Sequence, residues 1–71
     1  MKYRVDIGDP AARVALGVCD ECGDARFLAV SYESALVLLA AHELEVHPDT
    51  KHVRSNLARY RAAHRQGAAA A

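Results

Sequence analysis

The sequence predicts an α+β fold in which a β-hairpin, or a three-stranded sheet, is followed by two α-helices. Apolar and polar residues alternate in two stretches before position 31, which is the period of strands with one buried face. From position 32 onward the apolar residues recur at intervals of three and four, which is the period of a helix. With 71 residues, the chain has room for a single domain.

The predicted strands are separated by two turns. Residues 3–7 alternate apolar with charged side chains, and Gly8-Asp9-Pro10 then indicates a turn. Residues 14–18 repeat the alternation, and residues 26–30 are expected to form a returning strand. The segment Cys19-Asp20-Glu21-Cys22-Gly23 would therefore lie at the tip of a hairpin.

A first helix is predicted over residues 32–47. Ser31 is a favourable N-cap residue, and Pro48 stops the helix. One predicted face carries Tyr32, Ala35, Leu36, Leu39, His42 and Val46, and the opposite face carries Val37, Ala41 and Leu44. A helix that is apolar on both sides usually lies between two partners. The hairpin is one expected partner, and the second is either the next helix or another protein chain.

A second, basic helix is predicted to begin after a cap at Asp49 or Thr50 and to end near Arg65. The predicted domain therefore covers residues 1–66, and residues 67–71 are expected to form a disordered tail. No apolar run is long enough to span a membrane, and the first residues do not resemble a signal peptide. These features favour a cytoplasmic protein.

The net charge of zero hides a difference between the two parts of the chain. Residues 1–49 contain four basic and nine acidic side chains, whereas residues 50–71 contain five basic side chains and no acid. Such asymmetry suggests a basic segment that binds an anionic partner. The candidate nucleic-acid contacts on the second helix are Lys51, Arg54, Arg61 and Arg65. The alternative is that the two parts attract each other within the fold or across a dimer.

The residues with the most specific chemistry are two cysteines and two histidines. Cys19, Cys22, His42 and His47 follow the spacing C-x2-C-x19-H-x4-H. Two thiolates and two imidazoles are a common ligand set for one tetrahedral Zn²⁺ ion. His52 is a rival to His47 as the fourth ligand. The alternative for the cysteines is a redox pair, which the acidic residues between them disfavour because negative charge raises the pKa of a thiol.

In these features the chain resembles a two-Cys two-His zinc finger over residues 14–47. The order of elements is the same, and Phe27 and Leu39 match the family's two core positions. The resemblance implies that Cys19, Cys22, His42 and His47 bind Zn²⁺. Nineteen residues separate the inner cysteine and histidine, against about twelve in the family, so the family's mode of entering DNA is not expected to apply. The chain also resembles small zinc-knuckle proteins of actinobacteria and their phages.

The expected function is binding and not catalysis. Four protein ligands leave no open position on a zinc ion for water or substrate, and no catalytic triad or phosphate-binding loop stands out. The first hypothesis is a small nucleic-acid-binding regulator that uses the basic helix. The alternative is a protein adaptor or homodimeric accessory factor that uses the apolar first helix, with Val37 and Leu44 as contacts.

Overall fold

A computed structural model describes residues 1–8, 13–23 and 25–70 of the chain, with side chains as far as residue 64. Three strands are followed by two helices: β1 (Tyr3–Ile7), β2 (Ala15–Cys19), β3 (Ala25–Ala29), α1 (Tyr32–Val46) and α2 (His52–Ala70). The strands form one antiparallel sheet in the order β1-β2-β3. The α+β prediction is confirmed, and the sheet has three strands. Within the described residues, neither helix has the length and apolar character needed to cross a lipid bilayer.

The sheet packs against α1 through small side chains of its central strand. Cys19 pairs with Tyr3 on one side and with Ala25 on the other. Because side chains alternate along a strand, Cys19 shares the helix-facing side of β2 with Gly17 and Ala15. A Cβ atom added to Gly17 would lie 3.0 Å from Leu39 Cδ1, so α1 packs closely against the sheet at this glycine.

The apolar alternation that predicted β2 lies on the other side of the sheet. Leu16 and Val18 point away from α1, because the register places the odd-numbered residues of β2 toward the helix. The sequence pattern therefore identified the strand correctly, but the side that packs on α1 is the one with the small residues. Val18, on the other side, lies between Arg4 and Arg26 and is also buried, at 3% exposure.

Helix α1 begins where the sequence predicts and is buried along one side. The Ser31 hydroxyl accepts a hydrogen bond from the backbone N–H of Ser34 at 3.1 Å, as expected of an N-cap. Ala35, Leu36 and Leu39 are fully buried between the sheet and α2. The predicted buried face is too wide, because Val46 near the end of α1 is half exposed.

Helix α2 packs beside α1 and is longer than the sequence predicts. Val53 is fully buried in a core that also contains Met1 and Cys19, and Leu57 packs against it. The helix continues past Gly67 to Ala70, which is consistent with the high helix propensity of the closing alanines. The predicted disordered tail at residues 67–71 stays a prediction. Side chains from residue 65 onward, and residue 71 altogether, lie outside the described part.

Candidate metal centre

Four side chains meet at the end of the sheet where the β2–β3 turn approaches the C-terminal end of α1. Cys19, Cys22, His42 and His47 each offer one ligand atom, and these four atoms lie within 4.8 Å of one another. Cys22 Sγ is 3.3 Å from His42 Nε2 and 3.0 Å from His47 Nε2, and Cys19 Sγ is 3.5 Å from His47 Nε2. Tetrahedral zinc with ordinary bond lengths would separate sulfur from nitrogen by about 3.6 Å. The donors are therefore spaced for one ion.

Three of the four ligands lie at the end of an element or in a turn, and His42 lies in the C-terminal part of α1. Cys19 is the last residue of β2, and Cys22 lies in the turn before β3. Gly23 has a positive φ of 72°, a conformation in which a side chain would be strained, and this lets the chain turn back directly after Cys22.

The two histidines meet because α1 ends between them. On an ideal helix, positions 42 and 47 point about 140° apart. His47 lies one residue beyond α1, with φ −125° and ψ 56°, although its N–H still donates to the Glu43 carbonyl at 2.8 Å. This departure from helical geometry turns the His47 ring toward Cys22.

The structure places His47, and not His52, in the cluster. His52 Nδ1 lies 3.0 Å from the amino group of Met1 and 3.2 Å from the Met1 carbonyl oxygen. His52 thus links the start of α2 to the start of β1. All four ligands of the sequence prediction are brought together, and the rival fourth ligand is not among them.

A carboxylate and an aromatic ring surround the four ligands. Glu21 Oε2 lies 3.6 Å from His47 Nδ1, the ring nitrogen that faces away from the thiols, and Glu21 Oε1 accepts the Lys2 N–H at 3.2 Å. A carboxylate in this position orients a metal-binding histidine. The Phe27 ring is 5.5 Å from the His42 ring. Glu21 was expected only to disfavour a redox pair through its charge, and its contact with His47 was not predicted.

The surroundings of Cys22 disfavour a reactive thiolate. Desolvation, and then Cys19 and Glu21, raise the pKa of the Cys22 thiol. A reactive redox cysteine needs a lowered pKa, because the thiolate is the nucleophile. A bound cation would supply the positive charge that deprotonates both thiols.

Glu43 forms a second polar centre, which was not predicted, next to the cluster. Its carboxylate is fully buried between α1 and the start of α2. Oε2 accepts hydrogen bonds from the Thr50 hydroxyl at 2.8 Å and the Val53 N–H at 3.1 Å. Oε1 accepts from the Arg54 N–H at 3.1 Å and from Arg54 Nε at 3.3 Å.

These hydrogen bonds make Glu43 the cap of α2. Val53 and Arg54 lie in the first turn of α2, where backbone N–H groups lack partners within the helix. The predicted caps Asp49 and Thr50 are therefore replaced by a side chain from α1. Burial by itself raises the pKa of Glu43, but the hydrogen bonds from Arg54, Thr50 and Val53 outweigh it and lower the pKa to about 2.

The predicted nucleic-acid contacts differ in whether their side chains are already paired within the fold. Lys51 is exposed at the start of α2. Arg54 is held by Glu43, and its Nη2 also donates to the Pro48 and Thr50 carbonyls. Arg61 is half exposed and pairs with Glu33 of α1 at 3.0 Å. The Arg65 side chain lies outside the described part. Two of the basic residues of α2 are thus paired with acidic residues of α1 within the fold.

The fold and the cluster together define a small α+β domain with a Cys2His2 site of metal-binding geometry. Comparison of the chain with known protein families, with curated proteins and with solved structures gave no significant match. The likeness to two-Cys two-His fingers therefore rests on the cluster and the order of elements.

Proposed function

We propose that this chain is a zinc-stabilised binding module without catalytic activity. The observation that carries the proposal is the convergence of Cys19, Cys22, His42 and His47. Two thiolates and two imidazoles in a tetrahedral arrangement suit Zn²⁺ better than the harder Mg²⁺ or Ca²⁺, which prefer oxygen ligands. With all four coordination positions taken by the protein, the ion has a structural role.

A bound ion would supply stability that the small core lacks. A chain of this size gains only about 3–5 kcal/mol from its core, whereas structural zinc contributes roughly 10–16 kcal/mol in small zinc-binding peptides. The ion would cross-link the β2–β3 turn to the end of α1. We therefore expect chelation of the metal to unfold the domain.

The test is the metal content and the folded state of the purified full chain. Native mass spectrometry should show one zinc ion per chain, and a strong chelator should abolish the far-ultraviolet circular dichroism of the folded domain. Cobalt substitution should give the visible absorption of a tetrahedral S2N2 site. A chain that stays folded without metal would contradict the proposal.

Histidine variants provide matched controls. His47→Ala should lower the zinc affinity strongly, because it removes one of four ligands. His64→Ala should leave the affinity unchanged, because His64 is an exposed residue of α2 that stacks on Tyr60. His52→Ala tests whether His52, and not His47, is the fourth ligand. Loss of zinc with His52→Ala but not with His47→Ala would overturn the assigned ligand set.

A protein partner is the first candidate for what the module binds. Several large apolar side chains of β3, α1 and their connection are exposed, with Leu28 at 73%, Val30 at 75% and Leu44 at 58%. Of the exposed residues, Val30, Val37 and Leu38 line one groove between the end of β3 and α1, and contiguous exposed apolar side chains are typical of interaction surfaces. Val37 and Leu44, the predicted adaptor contacts, are among these exposed residues.

A nucleic-acid partner is the second candidate, supported by Lys51, which is exposed just before α2, and by Arg61 of α2, which is half exposed although it pairs with Glu33. Binding through these residues predicts that affinity falls steeply with salt, and that Lys51→Ala with Arg61→Ala reduces the slope by about two. Arg4→Ala, a change in the sheet, is the matched control. Absence of binding to any DNA or RNA at low salt would remove this candidate.

A further inference from the structure

We infer that Thr50 is a positioning residue of the metal centre, which holds the backbone of His47 in place and thereby links metal binding to the capping of α2. The inference rests on the proposed zinc-binding function, since it concerns how one ligand of the cluster is held. Thr50 is not itself one of the four ligands. Its effect on the metal passes through the backbone of His47.

The first observation is that His47 needs support from outside α1. Its partner His42 lies within α1, where the helix fixes the backbone on both sides. His47 lies one residue beyond the helix, and its φ of −125° and ψ of 56° direct its carbonyl away from the helical path. Helix ends fray unless other groups bind them. The ring of His47 therefore stays aimed at the cluster only if its backbone is held from another side.

The second observation is that Thr50 supplies this support through a turn. The Thr50 N–H donates to the His47 carbonyl at 3.1 Å and closes a four-residue turn. Pro48 stands at the second position of this turn, where its fixed φ is favourable. The His47 backbone is thus held at its N–H by α1 and at its carbonyl by Thr50.

The third observation is that the turn is tied back to α1 by the Thr50 side chain. The hydroxyl oxygen lies 2.8 Å from Glu43 Oε2 and 3.2 Å from the His47 carbonyl oxygen. A hydroxyl has one proton to donate, and the closer, charged carboxylate is the stronger acceptor. Because Glu43 is fully buried on α1, it gives the turn a fixed point of attachment.

The same carboxylate joins the metal centre to α2. Glu43 also accepts hydrogen bonds from the Val53 and Arg54 N–H groups in the first turn of α2. A displacement of His47 would therefore pull on Thr50, and through Thr50 on the residue that caps α2. Coupling between two sites is reciprocal, so loosening the turn at Thr50 weakens metal binding at His47.

The test is the zinc affinity of Thr50 variants of the full chain, measured by competition with a chelator. Thr50→Val keeps the shape and the backbone N–H but removes the hydroxyl. It should weaken zinc binding about tenfold, a loss typical of groups that orient a ligand without binding the metal. Thr50→Ser keeps the hydroxyl and should bind zinc nearly as tightly as the wild type. At saturating cobalt, Thr50→Val should also change the visible absorption, because the His47 nitrogen is held less firmly.

Leu57→Ala is the control for a general loss of stability. Leu57 packs against the core from α2, one turn beyond the first, and should leave the visible absorption of the cobalt-saturated chain unchanged. A double-variant comparison assigns the path of the effect. Thr50→Val should have no further effect on zinc affinity in a His47→Ala chain but should still weaken binding in a His42→Ala chain.

Three results would each overturn the inference. These are wild-type affinity and absorption in Thr50→Val, no recovery in Thr50→Ser, and an equal effect of Thr50→Val in the two histidine backgrounds. If a histidine variant binds too weakly for the comparison, the cobalt absorption of Thr50→Val decides. A wild-type chain that binds zinc while Thr50→Val binds it equally well leaves the proposed zinc module standing, whereas a wild-type chain without zinc refutes the module itself.

Discussion

Replacing Glu43 with glutamine tests the buried carboxylate that joins the two helices. Glutamine keeps the size of the side chain but removes the charge, and its NH2 group cannot accept the hydrogen bonds that one carboxylate oxygen now receives. Either Arg54 or the first N–H groups of α2 would then lose a partner in a fully buried place. The domain should be substantially less stable at neutral pH.

The magnitude follows from the pKa. Folding lowers the pKa of Glu43 from 4.5 to about 2, and each unit corresponds to about 1.4 kcal/mol. The ionised carboxylate therefore contributes about 3 kcal/mol to the free energy of unfolding. Removal of one partner from a buried ion pair lowers the free energy of unfolding by a similar amount, about 3–5 kcal/mol.

The pH dependence of this contribution has a definite sign. Because the pKa of Glu43 is lower in the folded chain, its contribution is fully present above the unfolded-state pKa of 4.5 and is lost as the pH falls toward 2. Metal ligands also take up protons in acid, so the contribution is best measured near pH 7 with excess zinc.

The assay is urea unfolding of the zinc-saturated chain. Glu43→Gln should lower the free energy of unfolding by about 3 kcal/mol. Glu45→Gln, an exposed position of the same helix two residues away, should change it by less than about 0.5 kcal/mol. If the two variants are equally stable, the assigned role of Glu43 is wrong.

Two further predictions concern packing and charge. Gly17→Ala should lower the free energy of unfolding in the same urea assay by about 1–3 kcal/mol, because the new Cβ would lie 3.0 Å from Leu39. Gly8→Ala is the control and should leave it nearly unchanged, because a Cβ there has nothing within 4 Å. Arg54→Ala should lower the free energy of unfolding by about 3 kcal/mol, because it leaves the buried Glu43 carboxylate without its cation. Arg61→Ala should lower it by less than about 1 kcal/mol, because the ion pair of Arg61 is exposed. Equal losses for the two arginine variants would contradict the distinction between buried and exposed pairs.

The metal cluster could be predicted from the sequence because ligand chemistry is local. Cysteines three positions apart near a glycine indicate a metal-binding turn, and a helix stopped by proline brings two histidines to its end. The sequence predicted His47 but left His52 open as a rival, because the choice depends on where the chain turns after Pro48. The structure shows that turn and places His52 against Met1.

Glu43 and Arg54 form a pair that was not predicted. Arg54 was expected to contact nucleic acid and Glu43 was assigned no role, since charged residues on amphipathic helices usually face water. Their pairing depends on how α2 packs against α1, and no local pattern encodes that geometry. The same packing pairs Arg61 with Glu33, so the charge asymmetry between the two parts of the chain is partly neutralised inside the fold.

The types and order of the elements and the four candidate ligands could be inferred from the chain alone, because apolar periodicity, turn residues and ligand spacing act over a few neighbouring positions. The packed face of β2, the capping of α2 by Glu43 and the open edge of β3 could be seen only in the folded protein. Each of these depends on contacts between segments that are distant in sequence. In such contacts the close packing of surfaces and the burial of charge determine the free energy of folding.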